Sequence, residues 1–152
     1  MAAVERIAVR GPALGEATGE HVEEHRDGRG TIRLWQQPGA RLYSTRVTGH
    51  LSIGLAQTII DYVDPLFVKG AVLGFHDWFQ MTGYDTASRN QLTAWSLRRS
   101  SLAQINIGTR AKLVSMGVTV AALALGERVL RRFGSETALE AAFQEAVRAN
   151  RS

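Results

Sequence analysis

Three stretches of the chain hold residue types able to do chemistry. His21-Val22-Glu23-Glu24-His25 fits the H-x-x-E-H spacing of inverted zinc metalloproteases. In that pattern two His on one helix face hold zinc with a further carboxylate, and Glu24 would be the general base. Here the match lies in a Gly-flanked polar stretch with no apolar face to anchor a helix, so a chance match is the better reading. His76-Asp77 offers an acid–base pair. Adjacent residues of a strand point to opposite faces, however, which favours structural roles for both. Gly83-Tyr84-Asp85-Thr86-Ala87-Ser88-Arg89 combines a carboxylate with two hydroxyls. Where a strand hands over to a helix, Asp85, Thr86 and Ser88 can cap the helix. They can also present a hydroxyl where a phosphate is favoured by free N–H groups and the helix dipole.

Other chemistries have no support. Cysteine is absent, which excludes disulfides, thiolate nucleophiles and Cys-based zinc or iron–sulfur sites. The glycines form neither a P-loop nor a G-x-G-x-x-G after a strand, and no G-x-S-x-G elbow occurs. No cofactor and no metal are expected, and the chain reads as a non-enzyme. Trp35, Trp78, Trp95, Tyr43, Tyr84 and Phe75 would stack on nucleic acid only if they shared an exposed face. Trp95 falls on an apolar helical stripe and Phe75 in a buried strand, so core packing accounts for them better.

The elements that would position these residues follow from periodicity. Residues 11–30 are rich in Gly and charge and nearly devoid of apolar side chains, so residues 1–28 read as a flexible arm and 29–152 as the domain. Thr31 to Gln37 and Arg41 to Thr48 read as a hairpin about Pro38-Gly39. Ser52 caps a helix carrying Leu55, Ile59 and Val63, which Pro65 ends. Ala71 to Phe79 has the appearance of a buried central strand. Asp85 is then the N-cap of a second helix running to Ser101, with Leu92 and Trp95 inward. Ala103 to Gly108 reads as a strand, Thr109 as the cap of a helix with Leu113, Val114 and Val118, and Gly126 as its stop. Val129 to Phe133 is a last strand, and Ser135 opens a helix with Leu139, Phe143 and Val147 inward. The order β-β-α-β-α-β-α-β-α predicts an α/β domain: a four- to five-stranded mixed sheet with about four helices.

Composition sets the outer bounds. At 152 residues, with 45% hydrophobic and 21% charged side chains, one core is affordable without staples. Residues 1–30 carry four basic and six acidic side chains, and the remainder fourteen and eight. Sixteen of the 18 basic residues are Arg. A solvated Arg-rich surface explains this better than a nucleic-acid patch. The longest nearly apolar run, Gly117 to Gly126, is about half the ~20 residues a membrane span needs. With no signal-like apolar stretch in MAAVERIAVRGPALG, a cytoplasmic location without membrane contact is expected.

The element order, the Gly49-His50-Leu51-Ser52 entry to the first helix, the apolar central strand before an Asp/Ser/Thr turn, and the closing RRFGSETALEAAFQEAV resemble the STAS family over roughly residues 30–148. The similarity is strongest to its SpoIIAA-like, anti-sigma-factor antagonist branch. That resemblance implies a STAS-like regulatory domain that docks on a protein such as a regulatory kinase or an anti-sigma factor, often switched by phosphorylation of an Asp-Ser-Ser/Thr-Gly sequence. Asp85 and Thr86 match its first two positions, Ala87 falls on the acceptor and Ser88 on the Gly, so the acceptor is absent unless the register shifts to Ser88. The partner surface expected is Asp85, Thr86, Ser88 and Arg89 with Arg98 and Arg99 on the second helix. The alternative is a carrier of a small apolar ligand among Trp78, Phe79, Met81 and Trp95. Oligomeric state leaves no mark in the sequence.

Overall fold

The computed structural model describes residues 3–7 and 22–150. Seven strands form one sheet in chain order: β1 Glu5–Ile7, β2 Val22–Arg26, β3 Gly30–Gln36, β4 Leu42–Leu51, β5 Val72–Tyr84, β6 Ala103–Thr109 and β7 Leu130–Phe133. β1 to β4 are mutually antiparallel, and β4 to β7 are parallel. The α/β class and four helices match expectation, but seven strands replace four or five. The difference lies in the segment expected to be a flexible arm. Val22–Arg26 pairs along its length with β3, burying Val22 opposite Trp35 and setting Glu24 3.3 Å from Arg33. One buried Val and the Glu24–Arg33 ion pair hold this polar segment against the β3 edge, and two further ion pairs, Arg6–Glu23 at 3.2 Å and Glu5–Arg26 at 3.5 Å, join it to β1.

The hairpin forms about Pro38-Gly39 as its chemistry demands. Gly39 takes φ 75°, and Ala40 N–H donates to Gln37 O at 3.2 Å, a turn with Pro then Gly in the middle. Ser52 caps α1 (Ile53–Val63) by accepting from Leu55 N–H at 3.2 Å. Leu55, Ile59 and Val63 are fully buried on it. Pro65 does not stop the chain turning but starts a 3₁₀ helix, Asp64–Lys69. α2 spans Thr86–Arg98, shorter than expected, and α3 spans Lys112–Leu125 with Ala111, not Thr109, at its N-cap. Thr109 ends β6 instead, sharing a 2.7 Å hydrogen bond with Ser115. Gly126 ends α3 at φ 85°, and Ser135 caps α4 (Glu136–Ala149). No helix among the described residues is long and apolar enough to cross a membrane.

Each parallel crossover advances one strand in the same direction, and right-handed connections of that kind place α1, α2 and α3 on one face. α4 packs alone on the other. Two cores result. Ile32, Leu34, Val47, Leu55, Ile59, Trp95, Ile105 and Val118 lie beneath the three helices. Trp35, Leu42, Phe75, Phe79, Leu139 and Phe143 lie beneath α4.

Candidate functional site

β5 is the strand that builds the site, and it is irregular. Against β4 it carries extra residues between Asp77 and Gln80 and between Met81 and Gly83. Trp78 and Met81, three apart, would face opposite ways on a regular strand, but the bulge turns both toward the three-helix face. Phe79 points to the α4 face. Of the residues expected to line an apolar pocket, Trp78, Met81 and Trp95 therefore come together, and Phe79 does not join them.

The cavity they line lies between the sheet and α2 and α3 and holds about 80 Å³. It exists because the covering helices present small or slender side chains there, Thr93 and Ser96 from α2 and Gly117 and Ala121 from α3. A Cβ on Gly117 would meet the Tyr84 hydroxyl at 2.5 Å, so glycine is what lets α3 approach the end of β5. Trp95 is anchored by its indole N–H, which donates to Asp64 Oδ1 at 2.9 Å. That bond and the Arg99 guanidinium hold the Asp64 carboxyl below its usual range.

At the cavity floor lies a buried polar set. His76 contacts the Tyr43 hydroxyl through Nε2 (2.9 Å) and Thr45 Oγ1 through Nδ1 (2.7 Å), and Trp78 Nε1 donates to Thr45 Oγ1 (3.2 Å). Burial drives the His76 pKa from 6.5 down to about 3 and raises that of Tyr43. The imidazole is neutral and carries one N–H. Three contacts then use three of the four available protons. If His76 donates from Nε2, the Tyr43 O–H has no acceptor in this set; if from Nδ1, the Thr45 O–H has none. Gly74 leaves the space the Tyr43 ring occupies. Asp77 is on the opposite face, taking Arg46 Nε at 2.9 Å, so no His–Asp dyad forms.

The turn before α2 differs from expectation in what its side chains do. Asp85 sits at the N-cap but makes no capping bond. Its Oδ1 accepts instead from His50 Nε2 (2.8 Å) and Arg29 (3.2 Å), and these partners, His50 first, hold its carboxyl below the ordinary value. Ser88 is fully buried and donates to Leu51 O at 3.0 Å, so it offers no hydroxyl to a kinase or a partner. Thr86 is exposed at the start of the helix, and Arg89 reaches the cavity lining. Arg98 is exposed about 18 Å further along the helix, at 1.5 Å per residue. Arg99 is held by Asp64 at 2.7 Å and lies over the Phe67 ring, 5.4 Å from its centroid. These residues do not form one patch.

His21 lies outside the described residues. Glu24 and His25 are consecutive in β2 rather than on a helix. No cluster of three or more His, Asp or Glu among the described residues is placed to hold a metal.

Two surface features were not anticipated. α3 exposes Leu113 (58%), Met116 (57%), Val120 (52%) and Leu123 (84%) in a stripe opposite its buried Val114, Gly117 and Val118. Leu113, named from the sequence with Val114 and Val118 as the apolar residues of this helix, lies on the outer face, and the all-round apolarity of the helix is the signal of that second face. Beside it β7 is the last strand of the sheet among the described residues, with Leu123, Arg131 and Arg132 lining the groove between them.

No protein-family model matches the chain, and no curated protein matches it. Among solved structures it is similar to an uncharacterized protein from the DUF3478 family with a SpoIIAA-like fold, from Shewanella loihica PV-4. The TM-score is 0.53 at 10% identity, covering 74% of this chain and 91% of that one. The fold is therefore SpoIIAA-like, and at that identity the likeness speaks to fold alone.

Proposed function

We propose that this chain is a non-enzymatic regulatory domain that binds a protein partner through the outer face of α3. The observation that carries the reading is the stripe Leu113, Met116, Val120 and Leu123, which is more than half exposed throughout. A soluble helix gains nothing by presenting four large apolar side chains in line to water, and such patches mark interaction surfaces. The partner is a regulatory protein, and a kinase or anti-sigma factor is the kind the SpoIIAA resemblance implies.

The test is capture of the partner from the native cells by wild type and by Val120→Asp/Leu123→Asp, with identification by mass spectrometry. The double variant should melt within a few degrees of wild type, since exposed sites tolerate charge, yet lose the partner at least tenfold. Equal capture by both overturns the reading.

The cavity favours a second reading, a carrier of a small apolar ligand. At about 80 Å³ it holds a few heavy atoms; an engineered apolar cavity of about 150 Å³ takes up benzene. A rise in Tm under xenon that is lost in Ser96→Leu is the result this reading requires.

A further inference from the structure

We propose that β7 receives an extended, acidic segment of the partner as an eighth strand, whose apolar side chains on one face rest against Leu123 of α3. This rests on the partner-binding reading above and names the chemistry of what docks.

Among the described residues the sheet ends at β7, which pairs with β6. Ile105 N–H donates to Val129 O at 2.6 Å, so Val129, Arg131 and Phe133 turn their backbone groups toward β6. By alternation the N–H and C=O of Arg132 point outward from the free edge, and an extended chain satisfies such groups by strand addition. The charge at this edge selects the chain. Glu127 to Phe133 carries Arg128, Arg131 and Arg132 against a single carboxylate, Glu127. Among the described residues none of the three Arg is paired with an acid. Arg131 lies over the Phe133 ring at 4.8 Å, and Arg132 donates to Thr119 Oγ1 at 2.9 Å. The opposite edge differs in this respect. β1 has its charges matched, Arg6 with Glu23 at 3.2 Å and Glu5 with Arg26 at 3.5 Å.

Arg on a short edge strand discourages pairing with another copy of the same edge, since Arg would face Arg. The same charges admit an acidic strand, so the edge that excludes a second copy selects a partner of opposite sign. The groove beside β7 is continuous with the apolar stripe, because Leu123 belongs to both. In an extended ligand alternate residues face opposite ways. Arg131 lies with Phe133 on the α4 side of the sheet and Arg132 with Thr119 and Leu123 on the α3 side, so the acidic set reaches Arg131 while the apolar set covers Leu123 beside Arg132.

The probe is a capped nine-residue peptide of alternating Val and Glu, titrated into the full chain by NMR and fluorescence anisotropy. Saturable binding should give its largest amide shifts at residues 130–133 and weaken at least tenfold between 50 and 300 mM salt. Arg131→Glu/Arg132→Glu should abolish it. Arg132→Pro removes the outward N–H without touching a bond to β6 and should cost at least tenfold, against a few-fold for Arg132→Ala. Equal binding of a Val/Lys peptide, or indifference to Arg132→Pro, overturns the proposal. A stable dimer that dissociates on Arg132→Glu also overturns it in favour of a second copy. The captured partner separates this inference from the one beneath it. Loss in the α3 variant with retention in both edge variants refutes the strand addition alone, and retention in all of them refutes both.

Discussion

His76 shows most directly how a single residue links burial to behaviour. Its pKa falls from 6.5 to about 3 because the imidazole is fully buried. Between those values the unfolded chain binds a proton that the folded one refuses, so stability rises with pH across that window and is lost on acidification. At ~1.4 kcal/mol per unit, going from pH 7 to pH 4 should cost up to about 3 kcal/mol at this residue. His25, also depressed chiefly by burial, adds in the same direction. The carboxyls of Asp27, Asp64 and Asp85 are held below their usual range and so make their loss felt only at lower pH. Urea unfolding of His76→Gln should therefore show lower stability at pH 7 but a clearly flatter slope from pH 6.5 to 4.5. An unchanged slope would place the proton uptake elsewhere. Asp85 teaches the complementary lesson. Its position before a helix reads as a cap, but a carboxylate goes to the strongest donors within reach, and His50 and Arg29 come from residues 35 and 56 positions away. No local reading could place them.

At the scale of elements, β2 is the instructive case. Deleting residues 1–27 should cost more than about 2 kcal/mol, because Val22 is buried and Trp35, opposite it, loses its cover. The deletion also removes Asp27, which accepts from Arg29 N–H, Gly30 N–H and the Ser52 hydroxyl. A melt within a degree or two of the full chain would show that β2 only rests on the sheet. The elements with strong apolar periodicity and capping chemistry were readable in advance: the hairpin at Pro38-Gly39, α1 with Ser52, the interior position of β5 and α4 with Ser135. β2 was not, because V-E-E-H-R has one apolar residue, and its order comes from pairing with β3 rather than from itself. The cavity was half legible. Trp78, Met81 and Trp95 were found from their apolarity; Phe79 faces away by plain alternation with Trp78, while the bulge that brings Met81 to Trp78's side depends on register against β4. Tyr43 was read only as core and Thr45 not at all, because both meet His76 across strands, more than 30 residues away.

For the molecule as a whole, strand order that follows chain order keeps every sheet contact between successive segments. That limits the loop-closure entropy each pairing must overcome. The three crossover helices each cover the sheet as the chain advances, so the core beneath them can grow strand by strand. The other face has no such provision. Trp35, Leu42, Phe75 and Phe79 wait for Leu139, Phe143 and Val147 of α4, which follows all seven strands in the chain. On a ribosome adding about 5–20 residues per second, roughly a hundred residues separate the synthesis of Trp35 from that of its ring partner Phe143, 5.4 Å away in the finished fold. For several seconds of translation, then, a nascent chain carries one sealed side and one greasy side, and it is during that interval that a chaperone has something to hold.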